Sequence, residues 1–465
     1  MLNRLLPDVR TDPELAPFRA GLLFGFFNTL TWQIALGTPL VLFAEQLGAT
    51  TFQAGLAYSF VYLLTPVQVL ATVLLPRFGY KGLTLGGWGL RSFLLLIPLC
   101  LAPWAALKGA QPWMITALIG SCFGFCLLRA VGMAASLPWF FAILPGTVRG
   151  RYFANDYLLS GVASVLTLLV CSGLFALLPV YHALFLQYLI SVFGSAGAYG
   201  SLRKLPDGPA PEPISLRSVA GDMPVHLGRP STYRSYLLLT VACYLCTTPL
   251  APFTAYHLKA TVGLAPGLIM LFEVLRYAGG VLGASALRRR VDKLGARPFL
   301  LSALGTYVVL GAYWLVFLRT GWGGSAGLVA AYFLFGAANA CWMVGNLNYL
   351  PKITTAENRT ITVTLQGALA SLAGGVSVTA WGFVLRSSPE AVAAGAPATD
   401  PVAFQVMFGV VLAGSAWLSW WLSRLPPEPD ADGAEPLVIG NALLRPHRAV
   451  GYLVNIIDPR DAGKR

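Results

Sequence analysis

Residues 38–50 read TPLVLFAEQLGAT, and residues 248–261 read TPLAPFTAYHLKAT. Both stretches carry Thr-Pro-Leu, a Phe three residues later and then Leu-x-Ala-Thr, with one extra residue in the second copy. More matches follow in the same order. Gly79-Tyr80-Lys81 and Gly295-Ala296-Arg297 each sit in a short polar break, and Leu144-Pro145 with Gly161 returns as Leu350-Pro351 with Gly367. Repetition at a spacing of about 210 residues marks a chain built from two related halves.

The rest of the chain says where those halves reside. Of 465 residues, 56% are hydrophobic and 11% charged, and the mean hydropathy is +0.67. Apolar runs long enough to cross a bilayer as helices fall at about 18–43, 52–75, 82–107, 112–143, 154–179, 181–202, 233–257, 264–287, 298–318, 324–349, 360–385 and 402–423. They are continuous rather than alternating, which favours helices over a barrel. The expectation is an all-α membrane protein with twelve transmembrane helices in two pseudo-symmetric six-helix bundles. The fourth run is long and is expected to tilt or to end between Gly132 and Pro138.

The expected organisation is a terminal segment at 1–17, a first bundle at 18–205, a linker at 206–232, a second bundle at 233–424 and a tail at 425–465. The linker region is rich in proline, and PPEPDADGAEP after Arg424 reads as disordered. Residues 437–457 are moderately apolar and read either as a segment on the membrane surface or as a loose tail. The N-terminus does not read as a cleavable signal, because residues 1–17 are polar and the first run is too long.

A formal charge of +13 raises the question of nucleic acid. Placing the breaks between runs alternately on two sides answers it. The side with the linker and both termini holds 25 of the 32 Lys and Arg and is net +10; the other is net +1, and the spans are net +2. That asymmetry is the positive-inside bias, so the linker and both termini are expected in the cytoplasm and the protein in a cell membrane, the bacterial inner membrane. No nucleic-acid partner is expected. The seven cysteines all fall in spans; Cys243-x-x-Cys246 lacks the βαβ setting of a redox motif and reads as packing. The four histidines are scattered and no nucleotide-binding loop appears, so no metal or cofactor is expected.

Two six-helix halves, a central linker and cytoplasmic termini resemble the major facilitator superfamily over about residues 18–424. The stretch GASALRRRVDKLGARPF resembles the superfamily's cytoplasmic signature through Gly283, Asp292, Gly295 and Arg297. The first-half copy, LLPRFGYKG, keeps Gly79 and Lys81 but has Pro76 where the acid is expected. The resemblance implies a conformational latch at these positions, and a secondary transporter, symporter or antiporter, working by alternating access. It identifies no subfamily: the span-five pattern of drug–proton antiporters, the sugar-porter motif after span six and the proton–peptide pattern of span one are all missing. Efflux of amphipathic compounds stays open, as do a sensor and a membrane-embedded enzyme. The last has no nucleophile–base pair or metal set to support it.

Four charged residues lie deep in spans: Arg91, Arg129, Glu273 and Arg276. Each costs about 2.5–3.5 kcal/mol at mid-bilayer unless paired or wet. Glu273 and Arg276, three apart, can pair on one helix face. Arg91 and Arg129 either line an aqueous cavity and bind a carboxylate or phosphate, or bond backbone and amide groups structurally. Glu273 with Arg276 is either a proton carrier or a static ion pair. Pro39 in span one and Pro249 with Pro252 in span seven are expected to break those helices at matching places, the pattern that points to a transporter's site or gate. Asn28, Trp32, Tyr244, Thr248, Asn339, Trp342, Asn346 and Gln366 are candidates for substrate contact or for bonding between helices. Gly279, Gly280, Gly283, Gly374 and Gly375 read as close-packing positions. The expected ligand is a small polar organic solute, with or without an anionic group; H+ is the candidate coupling ion, and a monomer in the lipid bilayer is expected.

Overall fold

A computed structural model describes residues 15–209, 231–287, 295–321, 323–354, 359–386 and 400–425. The first half contains α1 (Arg19–Ala35), α2 (Thr38–Gln46), α3 (Thr51–Leu63), α4 (Val67–Ala71), α5 (Leu75–Leu94), α6 (Leu96–Lys108), α7 (Pro112–Ile143), α8 (Gly146–Leu177) and α9 (Val180–Arg203). The second contains α10 (Thr232–Thr247), α11 (Leu250–Ala260), α12 (Pro266–Leu287), α13 (Arg297–Thr320), α14 (Gly324–Tyr349), α15 (Arg359–Val384) and α16 (Pro401–Arg424).

Among the described residues, eleven helices are long and apolar enough to cross a membrane, which makes this a multi-pass membrane protein. The difference from twelve lies in the second run. Pro66, which has no N–H to give, follows the end of α3, and the chain then continues as one helical stretch, Val67–Lys108. That stretch kinks at Gly79, whose φ of 67° and ψ of 172° suit only glycine. Taking α3 with the residues before Gly79 as one crossing, and those after it as another, restores twelve. The fourth run does not end between Gly132 and Pro138. α7 continues through Pro138 for 32 residues, about 48 Å of helix against a hydrocarbon core of about 30 Å.

The repeated motif marks matching breaks. The first span stops at Ala35 and restarts at Thr38, with Pro39 in the first turn of α2. The seventh stops at Thr247 and restarts at Leu250, with Pro249 at the cap of α11. In each case the helix ends ahead of the proline, whose ring would collide with the preceding turn. Pro252 breaks nothing; it sits in the first turn of α11, where its missing N–H costs little.

Packing differs between the two ends of the bundle. Away from the linker, one apolar core spans both halves, joining Leu40, Phe43 and Tyr188 to Phe253, Tyr256 and Phe404. Towards the linker the two halves keep their own cores: Phe18, Trp139 and Leu205 belong to the first half's, Tyr236, Tyr349 and Leu422 to the second's. The hydrogen bonds between halves tell the same story. Thr51 Oγ1 donates to Gly382 O (2.9 Å), Tyr256 OH to Ala49 O (3.0 Å) and Ser172 Oγ to Gly267 O (2.8 Å), all close to the far ends of their helices. Thr379 Oγ1 donates to Ser59 Oγ at 3.0 Å, deeper in the bundle.

Candidate functional site

Where α1 gives way to α2, a cavity of about 230 Å³ opens between the halves. Leu36, Gly37 and Thr38 bring the helix break itself to its wall. Gly37 is extended there (φ −92°, ψ −160°), and Pro39 leaves the last carbonyl of α1 without its helical donor. Trp32 and Gln33 line the cavity from α1, Tyr58 and Tyr62 from α3, and Glu273, Arg276 and Tyr277 from α12. It therefore draws on both halves.

The ion pair expected on α12 is present and one-sided. Arg276 donates from Nε (2.7 Å) and Nη2 (2.6 Å) to the same oxygen, Glu273 Oε2. Glu273 Oε1 is buried and has no partner. The Arg276 guanidinium also lies 4.7 Å from the Tyr277 ring centre and 5.5 Å from that of Phe335, contacts that suit a cation in a dry place.

The two arginines of the first half, alike in sequence, have different surroundings. Arg91 is 1% exposed and does not line the cavity. Its Nη2 donates to Asn28 Oδ1 at 2.5 Å, Trp88 Nε1 donates to the same oxygen at 3.2 Å, and its guanidinium lies 4.4 Å from Trp88 and 4.9 Å from Phe125. Arg91 and Asn28 thus answer one another inside the first half, the structural alternative of the sequence reading rather than a cavity position. Arg129, on α7, also stands off the cavity wall; it is partly exposed and lies 4.5 Å over the ring of Trp32, which does line the cavity. It makes no hydrogen bond or ion pair with any described residue.

The remaining expected contacts in the second half also lie off the cavity wall. Tyr236 OH (2.8 Å) and Gln366 Nε2 (3.2 Å) both donate to Asn346 Oδ1, and Gln366 Nε2 reaches Thr240 Oγ1 at 2.9 Å. Tyr307 OH donates to Asn339 Oδ1 at 2.7 Å, and Trp342 is buried with its Nε1 unpartnered. Amides in an apolar interior take the nearest hydroxyl, and here those are supplied by neighbouring helices of the same half. Tyr244 and Thr248 pack against Gly374 of α15.

Sequence reasoning passed over Gln33, Thr38, Tyr58, Tyr62 and Tyr277. Thr38 stands in the repeated motif, and Tyr58 and Tyr62 are four apart, with ring centres 6.0 Å from each other; that spacing was the available signal. Asp156 of α8 sets its carboxylate against Gly25 of α1, where a side chain would otherwise stand.

No protein-family model and no curated protein sequence matches the chain. Solved structures do. A mutant of the nucleoside transporter NupG aligns with 88% of this chain and 100% of its own, at TM-score 0.65 and 12% identity. A mutant of the peptide transporter POT in complex with alafosfalin aligns over 87% and 94%, at 0.63 and 16%. The inward-open xylose transporter XylE from E. coli aligns over 90% and 96%, at 0.60 and 14%. The fold is that of the major facilitator superfamily.

In that fold the two signature loops are unequal in composition but parallel in geometry. Gly79 and Gly295 both adopt positive φ, 67° and 74°. Two residues beyond each, a basic side chain holds the end of its half's last helix. Lys81 Nζ donates to Leu205 O at 2.8 Å, just past α9, and Arg297 Nη2 donates to Ser423 O near the end of α16. Lys81 also pairs with Asp207 at 2.9 Å, so an acid stands beside the first-half loop although the loop itself carries Pro76. Gly283 packs against Ala337 of α14; Asp292 lies outside the described residues.

Proposed function

We propose that this protein is a secondary transporter that carries a small polar organic solute bearing an anionic group across the membrane by alternating access. The observation that carries the reading is the asymmetric packing around the cavity: one shared core seals the far side, while separate cores leave the linker side divided. With the linker in the cytoplasm, as the charge bias implies, this is an inward-facing state. Arg129 is the anion's partner, being the partly exposed cation without an acid. Glu273, a buried carboxylate with one oxygen unused, is the proton carrier, with Arg276 holding it in place. The protein works as a monomer in a bacterial inner membrane, with the latch loops steadying each end state.

The cavity's aromatic walls, Trp32, Tyr58, Tyr62 and Tyr277, favour efflux of amphipathic compounds as a second reading. Purified protein in liposomes tests both. Counterflow or accumulation of a polar acid supports the first; movement of amphipathic cations alone supports the second. Conversion of a solute without net movement would mean an enzyme. Glu273→Gln should abolish uptake driven by a pH gradient while leaving exchange, and unchanged driven uptake sinks the coupling role.

A further inference from the structure

The proposed transport site has one further demand. We infer that its solute is amphoteric: a small amino-acid-like zwitterion whose ammonium group binds Glu273 Oε1, whose carboxylate binds Arg129 and whose apolar part lies against Tyr58 and Tyr62. This deepens the transport reading and rests on it.

The ion pair leaves one oxygen unused. Arg276 directs two donors to Oε2 of Glu273, and Oε1, in the cavity wall, receives none. A buried acceptor left unpaired costs about 1–3 kcal/mol, and a ligand that brings a donor removes that cost. An anion alone cannot do so, because a carboxylate brings no donor. A cation alone satisfies Oε1 but leaves Arg129, behind the wall residue Trp32, without an acid. A zwitterion answers both charges. Its anionic end goes to Arg129, which has no acid or hydrogen-bond partner among the described residues. Trp32 links the two positions, lining the cavity and carrying Arg129 on its ring.

The rings then divide. Arg276 lies against Tyr277 and Arg129 against Trp32, whereas no described cation is recorded over Tyr58 or Tyr62. Those two remain for an apolar or aromatic side chain of the solute. A volume of about 230 Å³ is room for roughly eight waters at ~30 Å³ each, and hence for a solute on the order of ten non-hydrogen atoms.

The test uses full-length protein in detergent and matched trios: phenylalanine, tryptophan and leucine, each beside its deaminated acid and its amide. Thermal shift against concentration gives apparent affinities. At least one zwitterion should raise the melting temperature, with tenfold or more loss of affinity when either charged group is removed. Glu273→Gln should erase the preference over the deaminated acid, and Arg129→Gln the preference over the amide. Deaminated acids that bind as well as the zwitterions overturn the inference, as does a panel in which no zwitterion shifts the transition. Both outcomes are read on the wild-type protein, so they do not depend on the variants folding. Liposome counterflow with plain organic acids, sugars and nucleosides separates the two levels. If one of those moves while the trios fail, transport stands and the zwitterion falls; if nothing moves, the transport reading falls as well.

Discussion

Lys81 Nζ lies 2.8 Å from the carbonyl oxygen of Leu205 and 2.9 Å from the carboxylate of Asp207. One ammonium thus caps the end of the first half's last helix and ties down the start of the linker. Asp207 is largely exposed, with 83% side-chain accessibility, so the ion pair itself is worth less than about 1 kcal/mol and weakens with salt. Lys81→Met should lower stability by about 1 kcal/mol through the lost carbonyl bond, whereas Asp207→Asn should lower it by less. Thermal unfolding of the purified protein at low and high salt checks both.

Asn28 holds Arg91 through a bond that no solute is needed to make. Asn28→Ala should therefore destabilise the fold by about 1.5–3 kcal/mol, the worth of a hydrogen bond to a charged group. The affinity of any transported solute should change little. An equal loss in Arg91→Ala and Asn28→Ala, seen in affinity rather than melting temperature, would return both residues to the site.

Glu273 and Arg276 are expected to behave as a unit. Removing one partner strands a buried charge, at about 3–5 kcal/mol. The double replacement Glu273→Gln with Arg276→Met should recover most of that loss while remaining unable to take up solute on a pH gradient. A double-mutant cycle on stability, run beside a liposome assay, separates the two effects.

Gly336 on α14 faces the backbone carbonyl of Arg276 on α12, and Gly279 faces that of Phe333. A methyl at either position has nowhere to go except by parting the helices. Gly336→Ala should cost about 1–3 kcal/mol by overpacking and should also disturb transport, since it displaces the segment that carries the ion pair. Gly305→Ala, where a side chain meets open space, is the matched control and should be near neutral in both assays.

Thr51 and Tyr256 bond across the far side to the carbonyl oxygens of Gly382 and Ala49. Thr51→Val combined with Tyr256→Phe should weaken the seal by about 1–3 kcal/mol, raising the outward-open population roughly fivefold or more. In a Cys100→Ser background, labelling of Thr38→Cys from the far side should speed up accordingly.

Backbone rules were the most legible part of this chain. Pro39 and Pro249 act on their own helices, so the matching breaks could be read from local sequence. Pro66 was harder, because the apolar run around it looked unbroken, and Pro138 misled in the opposite direction because a long helix accommodates it. The twofold repeat was legible because each half must bury similar faces in similar order. Side-chain partners were not. Arg91 and Arg129 look equivalent in sequence; only the approach of Asn28, from 63 positions away, distinguishes a locked guanidinium from a partly exposed one. Asn339 and Asn346 were legible as polar residues on one helix, but their hydroxyl partners come from α13 and α10. Tyr58 and Tyr62 could not be told from interfacial aromatics until α12 was placed opposite them.

Between described residues, no ion pair joins the two halves; the seal is apolar surface with a few hydroxyl-to-carbonyl bonds, apart from a longer-range attraction of Lys259 for Glu45. Parting such a surface wets hydrocarbon rather than separating charges, and so carries a positive heat-capacity change. The balance between the two open forms should bend with temperature and respond only weakly to ionic strength, so cooling and warming, more than salt, are the means to trap one form or the other.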